Sequence, residues 1–243
     1  MKKYSELDWG WMDRPNEEMV TAYDGNIYEL GEYHKKHMIE EIYERKQYEE
    51  VFEVKEGDVV VDIGASIGPF THSILHKNPS HVYCLEPSEN EFLSLVNNLA
   101  FRNVTLINKG ISHTNGRILV DTVFEENSDK KMNSITFNSF VEKYNLKYID
   151  FLKTDCEGGE YNLFRDENID YLLNNVGHIV GEWHLGNDLQ KVEFRYFRDK
   201  YLKQFKTVEV RSIDGINIKW DLWNDSFLKY YKQVILHISN KHE

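Results

Sequence analysis

The chain has 243 residues, 41% hydrophobic and 29% charged, which is enough to bury a substantial core and is ordinary for a globular protein, excluding a fibrous or disordered one. Its 41 acidic and 29 basic residues leave a formal net charge of −12, which opposes binding to phosphate backbones and to anionic lipid. Two cysteines, Cys84 and Cys156, make no disulfide framework. No apolar stretch approaches the ~18 residues that cross a bilayer, and residues 1–14 hold no signal-peptide core, so a cytoplasmic protein with no nucleic-acid or membrane partner is expected.

Residues 1–50 read as an N-terminal extension. Trp9, Trp11, Tyr23, Asp24-Gly25-Asn26 and Tyr28 indicate irregular, turn-rich chain, and 32–50 reads as a helix carrying Tyr33, His37, Tyr43 and Tyr48. A second region, 51–243, is regular. Val59-Val60-Val61 is a continuous apolar run of the kind buried on both faces of a sheet. A glycine turn and a helix to about Asn78 follow, then a strand over 82–85. The next helix runs from Ser88 to Ala100, with Ser88 and Glu91 spaced as a capping box. A third strand covers 104–107, and 110–135 is less regular, with hairpin strands about the Asn115-Gly116 turn. A helix over 136–144, a strand over 149–153, a helix over 160–165, a strand over 178–182 and a helix over 188–203 continue the alternation. Strands at 207–210 and 233–237 lie close to the chain end and lack enough helix between them to continue the parallel pattern, which predicts an antiparallel strand at the C-terminal edge. The pattern is α/β: a doubly wound, mostly parallel seven-stranded sheet with helices on both faces.

The most informative stretch is Val61-Asp62-Ile63-Gly64-Ala65-Ser66-Ile67-Gly68-Pro69-Phe70, a strand, a glycine turn and a helix start. Gly64 suits a positive φ and close approach of a ligand to the backbone, and Gly68 suits close contact of the helix start with the sheet. A helix N-terminus beyond the carboxyl end of a strand is a place where nucleotide-like cofactors bind. Glu86 follows the second strand directly, about 20 residues on, where an acid accepts hydrogen bonds from ribose hydroxyls. Asp62, ahead of the first glycine, would repel a pyrophosphate and tolerate a cationic group.

With these pieces, and with Leu85-Glu86-Pro87 and Ile149-Asp150-Phe151-Leu152-Lys153-Thr154-Asp155-Cys156-Glu157-Gly158-Gly159-Glu160, the chain resembles class I methyltransferases and specifically the FkbM-type family. The likeness covers about 50–185. Thr154, Cys156 and Gly159 depart mildly from the family's usual aliphatic residues and alanine. The resemblance implies a Rossmann-like fold and S-adenosylmethionine as cofactor, held by Asp62, Gly64, Ala65, Ser66, Gly68, Glu86, Pro87 and Asp155. It also implies methyl transfer to a hydroxyl of a small molecule or glycan. Trp9, Trp11, Tyr23, Tyr28 and Tyr33 of the extension are expected to cover the acceptor site, or else simply the sheet edge.

Methyl transfer to oxygen needs alignment and a proton acceptor beside the methyl donor. The ends of the fourth and fifth strands supply Asp155, Glu157, Glu160, Glu182 and His184. Asp155, Glu157 and His184 are the catalytic candidates, His184 as a base titrating near neutral pH. Glu157 and Glu160 equally suit a helix N-terminus. A divalent metal on Asp155, Glu182 and His184 is a weaker expectation, because magnesium prefers oxygen ligands. Gly64-Ala65-Ser66-Ile67-Gly68 also matches a hydrolase nucleophile elbow, with His184 or His237 as partner. That reading leaves Glu86 and the 155–160 cluster without roles. A non-catalytic cofactor-binding scaffold is the other alternative.

Overall fold

The computed structural model describes residues 39–99, 102–119 and 131–241. The strands are β1 (Val59–Ile63), β2 (His81–Leu85), β3 (Val104–Ile107), β4 (Gly110–Ile111), β5 (Gly116–Leu119), β6 (Lys131–Ile135), β7 (Ile149–Thr154), β8 (Val176–His184), β9 (Thr207–Arg211) and β10 (Gln233–Ser239). Seven of them form one sheet in the order β3-β2-β1-β7-β8-β10-β9. The first five are parallel, and β10 runs antiparallel to both β8 and β9. This is the expected Rossmann-like α/β sheet. β10 is buried along nearly its whole length and takes the inner position, whereas β9, with Glu209 and Arg211 partly exposed, takes the edge. A continuous apolar run needs cover on both faces, and an alternating one does not.

Neighbouring residues of one strand enter different cores, as the period of two requires. Val61, Ile63, Leu85, Leu152 and Ile179 belong to one cluster. Val60, Val82, Cys84, Phe151, Val180 and Ile235 belong to the other, together with Tyr48, Phe52 and Val54 from the chain ahead of β1. The described end of the extension is thus part of the fold's packing. Trp9, Trp11, Tyr23, Tyr28, Tyr33 and His37 lie outside the described residues.

The helices are α1 (Pro69–Ile74), α2 (Glu89–Leu99), α3 (Phe137–Lys143), α4 (Asp166–Asn175), α5 (Asp188–Lys200) and α6 (Phe227–Tyr230). Four local expectations are corrected. The helix expected over 160–165 is a single 3-10 turn, Glu160–Asn162, because Arg165 is extended and α4 starts only after it. The described part of the helix expected over 32–50 is one π-helical turn, Ile39–Glu44. The Asn115-Gly116 turn does not join two paired strands. β5 pairs antiparallel with β6, and β4 pairs parallel with β6, in a separate small sheet. The Ser88 N–H, which a capping box would give to Glu91, donates to Glu86 Oε1 at 2.8 Å. Asn187 and Gln190 do form a capping box, at the start of α5. No helix among the described residues is long and apolar enough to cross a membrane.

Candidate active site

β1 and β7 are neighbours, and the chain leaves them toward opposite halves of the sheet, so a crevice opens at their carboxyl ends. On the β1 side lies the 64–68 loop. Gly64 has φ +72°, and a Cβ there would overlap the Asp155 carbonyl oxygen. Gly68 has φ +97°, and a Cβ there would lie 2.9 Å from Leu95 Cδ1 and 3.0 Å from Leu99 Cδ1. Both glycines therefore answer to protein packing. The contact of Gly68 is with α2, not with the sheet as the sequence had indicated. The Gly64 and Ala65 N–H groups both donate to the Leu85 carbonyl, at 2.9 and 3.0 Å, tying the loop to β2.

Asp62 sits beneath this loop. It is fully buried, accepts from Thr71 Oγ1 at 2.8 Å and lies 3.2 Å from Lys153 Nζ. Lys153 also donates to the Gly64 carbonyl at 2.6 Å. Burial pulls the lysine's pKa down, but Asp62 and then Asp155 outweigh it and the net shift is upward, so Lys153 stays charged. Asp62 was read as facing the cofactor; its carboxylate is instead committed to the support of the loop. Lys153 was not singled out in the sequence at all. The available signal was a lysine inside a strand otherwise buried on both faces, which demands a partner.

Glu86 is buried at the end of β2. Its Oε2 accepts from the Ser66 N–H at 2.9 Å and its Oε1 from the Ser88 N–H. Desolvation, then the charge of Glu91, push its pKa up to about 8, against the two N–H donors. Pro87 follows, half-buried, with its carbonyl and that of Glu86 accepting from Asn108 Nδ2.

On the β7 side the Asp155 N–H donates to the Ile63 carbonyl at 3.1 Å, and Asp155 Oδ2 accepts from Tyr48 Oη at 2.7 Å. Burial, then Asp155, push the Tyr48 pKa up, so the phenol stays a donor. Glu157 and Gly158 turn the chain through positive φ, +53° and +104°. Glu160 is fully buried and folds back, its Oε1 accepting from the Cys156 and Gly158 N–H groups at 2.8 and 3.1 Å. That same oxygen lies 3.1 Å from His184 Nδ1. His184 Nε2 faces Glu157 Oε2 at 3.3 Å and Glu182 Oε1 at 3.6 Å. The structure thus brings Asp155, Glu157 and His184 together, their polar atoms all within 4.8 Å of one another, with Glu182 alongside.

Electrostatics revise one expectation. Burial disfavours the imidazolium of His184, but the hydrogen bond and charge of Glu160, then Asp155 and Glu182, outweigh it and hold the pKa up at about 10. His184 therefore carries its proton at pH 7 and does not titrate near neutrality as a free base would. Burial, then Asp155, push Glu182 up to about 8, and burial pushes Glu157 up against the pull of His184. The hydrolase arrangement is not formed. His184 is engaged by carboxylates, and His237 is fully buried with both ring nitrogens unpartnered.

The methyltransferase FkbM domain matches residues 62–211, more than half of the chain. The chain belongs to the FkbM methyltransferase family. The family match runs from Asp62 at the end of β1 to Arg211 at the end of β9, and so contains the glycine loop, Glu86, the 155–160 turn and His184. No curated protein matches the chain. Among solved structures, an rRNA methylase from Streptococcus thermophilus is 13% identical, with 88% of this chain and 99% of that chain covered and a TM-score of 0.49. A precorrin-6y C5,15-methyltransferase from Geobacter metallireducens is 14% identical over 81% of this chain and 84% of that one, with a TM-score of 0.44. A proposed methyltransferase from Streptococcus mutans, solved in complex with SAH, is 13% identical over 80% and 95%, with a TM-score of 0.46. At these scores and identities none of the three bears on the chemistry of this FkbM-family chain.

Proposed function

We propose that this FkbM-family methyltransferase uses S-adenosylmethionine to methylate a hydroxyl of a small molecule or glycan in the cytoplasm. The observation that carries the reading is the pair of carboxylate sites flanking the 64–68 loop, Glu86 on one side and the 155–160 turn on the other. S-adenosylmethionine presents a ribose diol, an ammonium and a sulfonium, so it calls for hydroxyl acceptors and negative charge, not for phosphate donors. The side chains fit that demand. Glu86 gives one lone pair of each oxygen to a backbone N–H and keeps the others for hydroxyls. Asp155, held by Tyr48, supplies a carboxylate next to the loop. When bound, the cofactor supplies an electrophilic methyl group.

The chain's own residues do the rest. Glu157, with its side chain 51% exposed and its pKa raised, receives the hydroxyl proton. Asp155, fixed by Tyr48, orients the reactants. His184 stays protonated, and its charge keeps Glu157 ionised and in place.

The test begins with binding. S-adenosylhomocysteine should raise the melting temperature by mass action on the native state, and NAD should not. Equal stabilisation by NAD overturns the cofactor reading. Glu86→Ala should weaken S-adenosylhomocysteine binding by roughly 1–3 kcal/mol in calorimetry, because the ribose hydroxyls lose a carboxyl acceptor. An acceptor screen that follows S-adenosylhomocysteine release then identifies the substrate. Release with hydroxyl compounds of no class would leave a cofactor-binding scaffold.

A further inference from the structure

We propose that Asp155, Glu157 and His184 bind a divalent transition-metal ion, with Glu182 in reach as a fourth ligand and Glu160 fixing the histidine from behind. The three ligand atoms lie within 4.8 Å of one another, and His184 Nε2 is 3.3 Å from Glu157 Oε2. Two ligands each about 2.1 Å from one ion stand roughly 3.0–3.4 Å apart along the edge of its polyhedron, so that edge is already set. Asp155 needs only a side-chain adjustment.

The orientation of the imidazole is the stronger point. Glu160 holds Nδ1 at 3.1 Å and is itself fixed by two backbone N–H groups. A carboxylate behind the ring of a ligating histidine is the usual outer partner of a metal site. With Nδ1 engaged, Nε2 faces two carboxylate oxygens, and that arrangement requires a positive centre between them. The centre is a proton or a metal ion.

Charge favours more than a proton. Asp155, Glu157, Glu160 and Glu182 surround one imidazole, and among the described residues no lysine or arginine lies within salt-bridge distance of any of the four; Lys153, whose charge also acts on Asp155, is bridged to Asp62. In addition, Glu160 Oε2 is buried with no hydrogen-bond partner among the described residues. Glu160 therefore spends one oxygen on the ring and the two N–H groups and stays behind the imidazole, outside the proposed ligand set. Mixed imidazole and carboxylate ligands suit Mn2+, Fe2+, Co2+ or Zn2+ better than Mg2+ or Ca2+, which favour oxygen alone. An ion held through Glu157 Oε2 leaves Oε1 free for the hydroxyl proton. A bound ion takes the place of the His184 Nε2 proton and itself supplies the positive charge that holds Glu157 in the proposed methyl transfer, and the site stands without that reading.

The test uses the full chain stripped with chelator at pH 7.5. Mn2+ is added and the free ion followed by electron paramagnetic resonance. One Mn2+ per chain is expected, displaced by Zn2+ and bound more tightly than Mg2+. His184→Gln and Glu157→Gln should each weaken it at least tenfold, and Glu160→Gln by about 10–100-fold, as the loss of an outer partner does. Circular dichroism and the thermal midpoint verify that each variant is folded. Less than one equivalent bound by the parent chain, or unchanged Mn2+ affinity in folded His184→Gln and Glu157→Gln, overturns the site. Failure of the parent to bind S-adenosylhomocysteine would count against the cofactor reading alone and leave the metal result standing.

Discussion

His178 and His184 lie on the same strand and are equally buried, 9% and 8% exposed, yet their imidazoles are pushed in opposite directions. Burial favours the neutral ring at both. At His178 nothing opposes it strongly. The ring stacks on Phe52 at 4.4 Å, the charges of Lys241 and Lys55 push the same way, and the pKa falls to about 4. At His184 the carboxylates overcome burial and the pKa rises to about 10. One strand therefore carries a packing histidine near its amino end and an electrostatic histidine at its carboxyl end. Partners, not burial, decide which is which.

The strongest way to sharpen this contrast is activity. Once an acceptor is known, Glu157→Gln should slow single-turnover methyl transfer by about 10²–10⁴-fold with S-adenosylhomocysteine affinity nearly intact. His178→Gln should leave the rate unchanged. A fully active Glu157→Gln would falsify its assignment as proton acceptor.

Titration comes next. Followed by NMR on the metal-free protein, the His184 ring should stay protonated through pH 8 with a midpoint near 10, and the His178 ring should stay neutral down to about 4. Glu160→Gln should bring the His184 midpoint down toward the neutral range and leave His178 alone. Equal midpoints for the two rings would remove the contrast.

The smallest effect is on stability. Glu86 and Glu182, both raised to about 8, and His184, raised to about 10, bind more protons folded than unfolded. Their contribution is present at low pH. The two carboxyl groups lose it as pH rises from about 4.5 to 8, and His184 loses it from about 6.5 to 10. His178 and His237, lowered to about 4 and about 3, contribute above about 6.5 and lose it as pH falls. The ligand-free, metal-free protein should melt highest between about pH 4.5 and 6.5, where the histidine gains offset the carboxyl losses, and at least several degrees lower at pH 9, since about 1 kcal/mol moves the midpoint by about 2–4 °C at this size. A flat calorimetric profile from pH 6 to 9 would show that the carboxyl-end cluster is not charged as described.

Much of this architecture was legible because strands buried on both faces announce themselves as apolar runs, and because Glu86 and Asp155 stand directly at strand ends. α4 was missed: its apolar residues, Ile169, Leu172 and Leu173, are diluted by Asp166, Glu167, Asp170, Asn174 and Asn175. The cluster of Asp155, Glu157 and His184 could be assembled from the sequence, since strand order brings β7 and β8 side by side. The titration of His184 could not. It depends on Glu160 folding back from a turn onto the ring, a contact across 24 positions of chain that local pattern does not encode. Asp62 was misjudged for a related reason. Its partner is Lys153, on the neighbouring strand, and only the pairing of β1 with β7 makes that a buried ion pair.

The way Gly64 lies against the Asp155 carbonyl also bears on how the protein breathes. Gly64 and Ala65 bond to Leu85, Asp155 bonds to Ile63, and Lys153 clamps Gly64 from below. The floor of the crevice is thereby stitched into the three central strands, with no slack for a side chain between them. Amides of this kind exchange with solvent only when the whole domain unfolds. The floor should be as slow to exchange as the core strands, with or without ligand. Tyr48, buried in the second core and bonded to Asp155, ties the chain ahead of β1 to the same floor, so that side chain should be as slow to move as the strands beneath it.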